Sequence, residues 1–153
     1  VEGTVSHRKT TNVVTVILQG AAPDSRGANP TGYTIQLTGK NGVYNSLNEP
    51  LTQESPTLSY TPDYSVSSKD LVAVFHTLHL TDDMRLTVWD GTTQIYDENV
   101  RDLIRKAVES DGGTLSEDLL WRNDEWGFKF DANMMLVGVK VLDWISVEDI
   151  GGI

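Results

Sequence analysis

Cysteine is absent from all 153 residues, which removes disulfides, thiolate metal sites, a cysteine nucleophile and a lipid-bearing thiol from what these residues can do. The compartment stays open. Cations are few, 12 Lys and Arg against 22 Asp and Glu for a formal charge of −10. That balance argues against nucleic acid or an anionic lipid surface as a partner, because both require clustered Lys and Arg. No stretch is apolar and long enough to cross a bilayer, so membrane insertion by this domain is not expected. Residues 1–11 are polar, lack the apolar core of a signal peptide and begin at Val1 rather than methionine. The expectation is a trimmed or processed piece. Also missing are G-x-S-x-G, P-loop and dinucleotide fingerprints, which leaves an enzyme reading without a nucleophile, base or phosphate cradle. Neither a catalytic residue nor a cofactor is expected.

What is present centres on Leu71 to Val108. Leu71-Val-Ala-Val-Phe75 is apolar throughout, as in a central strand covered on both faces. Met84, Leu86 and Val88 then alternate with Arg85, Thr87 and Trp89, the period of a strand with one buried face. Asp90-Gly91 predicts a two-residue type I′ hairpin turn. That loop would set Trp89 opposite Thr92, Val88 opposite Thr93, Leu86 opposite Ile95 and Arg85 opposite Tyr96. Val100, Leu103, Ile104, Ala107 and Val108 follow at helical spacing, with Asn99 placed as N-cap and Gly112 or Gly113 at the exit. A helix this short is held by packing its stripe on a sheet.

Elsewhere, 153 residues fit one domain that buries about 70% of its extended-chain surface. Val14, Val16 and Leu18 give the first strand an apolar face, beside a mixed face of Val13, Thr15 and Ile17. Residues 20–32 read as a loop. Tyr33, Ile35 and Leu37 mark a half-buried strand, Asn41-Gly42 a second hairpin turn, residues 45–56 a polar excursion, and Leu58 with Tyr60 a brief strand. Leu115, Leu119 and Leu120 suit a helical turn closing one end. Trp126, Phe128 and Phe130 alternate, and a long last strand from Met134 to about Ser146 takes Met135, Val137, Val139 and Val141 as its core face. About eight strands, one helix and no βαβ rhythm predict a mainly β, two-sheet sandwich, with the first and last long strands at sheet edges.

Candidate chemistry is thin. His76 and His79 are three apart in an expected strand, so they leave on opposite faces and cannot share a metal as i, i+4 helical histidines do. His7 lies in the polar tail. Asp111 to Asp118 resembles a calcium loop only faintly, lacking alternating ligands and the terminal glutamate. Asp82/Asp83 and Asp124/Glu125 read as turn residues, since neighbours on a strand diverge. No metal site is expected. Trp89, Tyr96, Trp121 and Trp126 could form an aromatic platform for sugar, which makes an extracellular carbohydrate-binding module the rival reading. Packing is the plainer use of most of them.

Tyr60-Thr-Pro62, Ala73-Val-Phe75-His-Thr-Leu78-His-Leu80, Leu86-Thr-Val88, Ile95-Tyr96, the helix, and Val137 to Trp144-Ile145 together resemble the C-terminal domain of the FimB-type fimbrillin-like family. Trp121 and Trp126-Gly127 depart from that pattern. The resemblance, from about Thr57 onward, implies a transthyretin-like β-sandwich, the second of two such domains in a longer protein. It implies an anchor or accessory subunit of type V pili at the outer membrane surface, lipid-anchored through its missing part and partnered by other fimbrial subunits. Such subunits join by strand exchange, in which backbone pairing gives affinity and side chains in pockets give specificity. On that reading the partner-binding residues are Val14, Val16 and Leu18, and Val137, Val139 and Val141, on strands apolar enough to need cover. The alternative is that both strands are already paired inside the domain.

Overall fold

The computed structural model describes residues 11–21, 33–47, 49–131, 133–140 and the backbone of 144–146. The chain forms a mainly β, two-sheet sandwich. Its strands are β1 (Thr11–Leu18), β2 (Tyr33–Gly39), β3 (Leu58–Tyr60), β4 (Asp63–Ser67), β5 (Asp70–Leu78), β6 (Arg85–Asp90), β7 (Thr93–Asn99), β8 (Glu125–Phe130), β9 (Leu136–Lys140) and β10 (Trp144–Ser146). Two helices, α1 (Val100–Ser110) and α2 (Glu117–Arg122), lie between β7 and β8. One sheet runs β10-β9-β8-β1-β5-β4 and the other β3-β2-β6-β7.

The core explains why β1 stands inside its sheet. It pairs antiparallel with β5 and parallel with β8. Three rows of side chains therefore cross the sheet: Phe75-Val14-Trp126, Ala73-Val16-Phe128 and Leu71-Leu18-Phe130. All nine are buried. The smallest residue, Ala73, shares its row with Phe128, so large and small side chains alternate as dense packing requires. The edge position expected for β1 is thus corrected: apolar residues on one face and partly apolar ones on the other mark an interior strand. On β5 the outward-facing Val72 and Val74 stay only half-buried, so that strand is covered on one face, with β4 beyond it.

Helix α1 follows its sequence pattern closely. The Asn99 side chain accepts from Asp102 N at 3.1 Å, and all five stripe residues are buried. Each of the Val, Leu and Ile side chains contributes roughly 1.5–3 kcal/mol of apolar transfer. At the C-terminus Gly112 takes φ +86°, and Gly113 N donates to Val108 O at 2.9 Å, a left-handed exit that glycine makes without a Cβ penalty. Helix α2 is capped by Ser116, whose Oγ accepts from Leu119 N at 3.1 Å. Leu120 is buried, with Leu115 and Leu119 against the core, as expected for the end-closing turn.

Three local expectations change. Asp90 pairs with Thr93, so the hairpin loop is Gly91-Thr92, with Gly91 at φ +63°. Glycine at the first central position belongs to a II′ turn. A bulge beside Trp89 moves the register again, placing Val88 opposite Tyr96 and Leu86 opposite Glu98, and Ile95 is 38% exposed. The long last strand is two, β9 and β10. A bulge between Lys129 and Phe130 resets its parity, so Met135 is exposed, Val137 half-buried and Val139 buried; Val141 lies outside the described residues. Asn41, finally, is no surface turn but fully buried.

Candidate functional site

Asn41 is the hub of a buried polar cluster between the sheets. Its Nδ2 donates to His79 O at 2.7 Å, and its Oδ1 accepts from the Tyr60 hydroxyl at 2.7 Å. His79 N donates to the Tyr44 hydroxyl at 3.0 Å, and Leu78 N to the Tyr60 hydroxyl at 3.4 Å. Burial pushes the Tyr44 phenol up to about 12, and it raises Tyr60 as well, because desolvation disfavours the phenolate. These groups hold the turn after β5 against the segment after β2. They are a structural brace.

The histidines do separate, although not by strand alternation: His76 is exposed on β5, while His79 lies one residue past the end of that strand, buried and stacked on Trp121 with ring centroids 3.7 Å apart. Glu117 of α2 lies 3.5 Å from His79 Nε2 and 2.5 Å from Arg101 of α1, tying both helices to the end of the sandwich. That role for the Asp111–Asp118 segment was not legible in its composition. Asp83 accepts from Lys40 N at 2.7 Å and from the Thr81 hydroxyl at 2.6 Å, as a turn residue should. Glu125 faces Lys140 at 3.9 Å. Among the described residues no group of three or more His, Asp or Glu side chains converges on a metal-sized space.

Two features remain that face outward. The first is the outer side of β7, where the four-stranded sheet ends. Val100 N turns inward to Met84 O at 2.9 Å. By alternation the 98 and 96 backbones do so too, which leaves the Asp97 N–H on the open side. Asp97 is exposed, in contact with Arg85 at 2.7 Å.

The second feature lies at the other edge of that sheet. Strand β3 covers only Leu37–Gly39 of β2, leaving the side of Tyr33 to Gln36 that faces away from β6 without a strand among the described residues. A groove of about 660 Å³ opens there, lined in part by Tyr33, Tyr60, Tyr64 and Trp89. Of the four aromatics named from sequence, Trp89 alone lines it. Trp126 is buried in the core with its Nε1 on Asn12 Oδ1 at 3.2 Å, Trp121 covers His79, and Tyr96 packs edge-on against Phe130 at 4.8 Å. The expected partner-binding residues lie elsewhere: Val14, Val16, Leu18 and Val139 are core, and Val137 is half-buried.

The sequence profile of the fimbrillin-A associated anchor proteins Mfa1 and Mfa2 matches residues 1–149. The chain belongs to this family. No match was found among curated proteins. Among solved structures, a Bacteroides thetaiotaomicron protein provisionally described as an adhesin is similar, with TM-score 0.64 and 21% identity over 92% of this chain and 53% of its own. A second protein of that species, provisionally described as polysaccharide-binding, has TM-score 0.67 and 19% identity over 89% and 50%. A Bacteroides ovatus protein, provisionally an adhesin, has TM-score 0.61 and 19% identity over 92% and 51%. The chain spans about half the length of these structures. At such identities the likeness is one of fold.

Proposed function

We propose that this chain is one β-sandwich domain, the C-terminal one, of a larger fimbrial anchor or accessory subunit, held at the outer membrane by a lipid elsewhere in the protein. It transforms no substrate. It joins neighbouring subunits by accepting a strand on an open sheet edge, where backbone hydrogen bonds supply affinity. The observation that carries this reading is the outer side of β7: seven residues long, ending its sheet, and unpaired on that side among the described residues. Long exposed edges are templates for a further strand. Strands β1 and β9 are flanked on both sides, so Val14, Val16, Leu18, Val137 and Val139 would reach a partner only if their strand left the sheet.

Asp97→Pro tests the reading. Proline removes an N–H that the β6–β7 ladder does not use, and the Asp97–Arg85 contact it deletes is half-exposed and worth at most about 1 kcal/mol. The full-length variant is expected to fold, shift its melting temperature by only a few degrees and fail to co-purify with fimbrial subunits from fimbriated cells. A folded variant that assembles normally would remove β7 from the mechanism.

A further inference from the structure

We propose that the groove beside β2 is a binding site for a neutral glycan. Among the described residues its walls carry no charged side chain, in a protein whose residues are 22% charged; an anionic or cationic ligand would find no counter-charge from them. Four half-buried aromatics, Tyr33, Tyr60, Tyr64 and Trp89, alternate with Thr34, Gln36 and Thr61. Apolar ring faces beside hydroxyl and amide groups match a sugar, which presents C–H faces and a rim of hydroxyls. The volume of about 660 Å³ lies in the range of small-ligand sites.

Two of the rings are fixed before any ligand arrives. The Tyr60 hydroxyl is held by Asn41 Oδ1 at 2.7 Å, and the Tyr64 hydroxyl accepts from Ile35 N at 2.9 Å. Ordering them on binding therefore costs little rotamer entropy. The Tyr64 bond also separates this groove from a strand-pairing edge: Tyr64 already occupies the outward N–H of Ile35, so an incoming strand would have to displace it. The outer side of β7 has no such cover among the described residues, and it lies at the far edge of the same sheet. Subunit pairing and glycan binding can accordingly succeed or fail independently.

The test is a printed array of neutral and anionic oligosaccharides, followed by titration of the strongest neutral hit with calorimetry and tryptophan fluorescence. Neutral hits are expected, with a fluorescence change arising from Trp89. Trp89→Ala should weaken binding by roughly tenfold or more through the lost ring contact, while Trp89→Phe keeps most of it. Thr61→Arg, at an exposed position, should block the groove while leaving the core untouched. An array without neutral hits, a preference for anionic sugars, or binding indifferent to both Trp89→Ala and Thr61→Arg would overturn the proposal. So would an unstructured peptide that changes Trp89 fluorescence when no sugar does.

Discussion

Val16→Pro is expected to abolish the folded state. Residue 16 sits in the middle of β1, opposite Ala73 on one side and Phe128 on the other, so both of its backbone edges face a neighbouring strand. Proline deletes one ladder donor and forces its ring into the sheet, which is why proline is confined to edge strands and bulges, and the carbonyl that loses its partner costs about 1–3 kcal/mol. It also takes a fully buried valine out of the row it shares with Ala73 and Phe128, adding roughly 1–3 kcal/mol of lost packing. Against a typical domain stability of about 5–15 kcal/mol, these losses and the ring forced into the sheet together remove most or all of the margin. Circular dichroism and amide-proton dispersion should both collapse at room temperature. A cooperatively folded Val16→Pro would mean that β1 is not an interior strand. The contrast with Asp97→Pro is the informative part, since one proline strikes an interior strand and the other the free side of an edge.

Asn41→Ala should cost about 2–4 kcal/mol, because it leaves the buried His79 carbonyl and the half-buried Tyr60 hydroxyl without their partner, at about 1–3 kcal/mol for a buried unsatisfied group and less for a half-buried one. Urea unfolding would show this as a lower midpoint at unchanged slope. Had Asn41-Gly42 been the surface hairpin turn its dipeptide signals, the same substitution would fall within about 0.5 kcal/mol. Tyr60→Phe removes a donor and leaves Asn41 Oδ1 without it, and should cost less than Asn41→Ala.

That pair of outcomes marks where sequence reading stops. Local patterns were legible where one element's period decides burial: α1 with its Asn99 cap, the Trp126-Phe128-Phe130 face, and the β2 alternation of Tyr33, Ile35 and Leu37. What failed depended on partners distant in sequence. Asn41 reads as a turn because its own neighbours favour one, yet its hydrogen bonds go to residues 60 and 79. Strand β4 carries no apolar period, since Asp63–Ser67 is an edge strand with most side chains in solvent. The β6–β7 register turned on a bulge that no dipeptide signals. Aromatics stood out in the sequence, but which of them line a groove depends on how β2, β3 and β4 meet. Tyr33 and Tyr60 therefore looked like ordinary strand residues, while Trp126, weighed as part of a platform, is core as its strand alternation implies.

Amide hydrogen exchange on the full-length protein, alone and bound to a purified fimbrial subunit, tests the central claim most directly. In both states the β1 amides should exchange only at the slow, global-unfolding limit. In the complex, protection should appear along Thr93 to Asp97, with the Asp97 amide slowed most. A stable complex that leaves β7 unprotected, or that instead alters exchange in β1, would contradict the account.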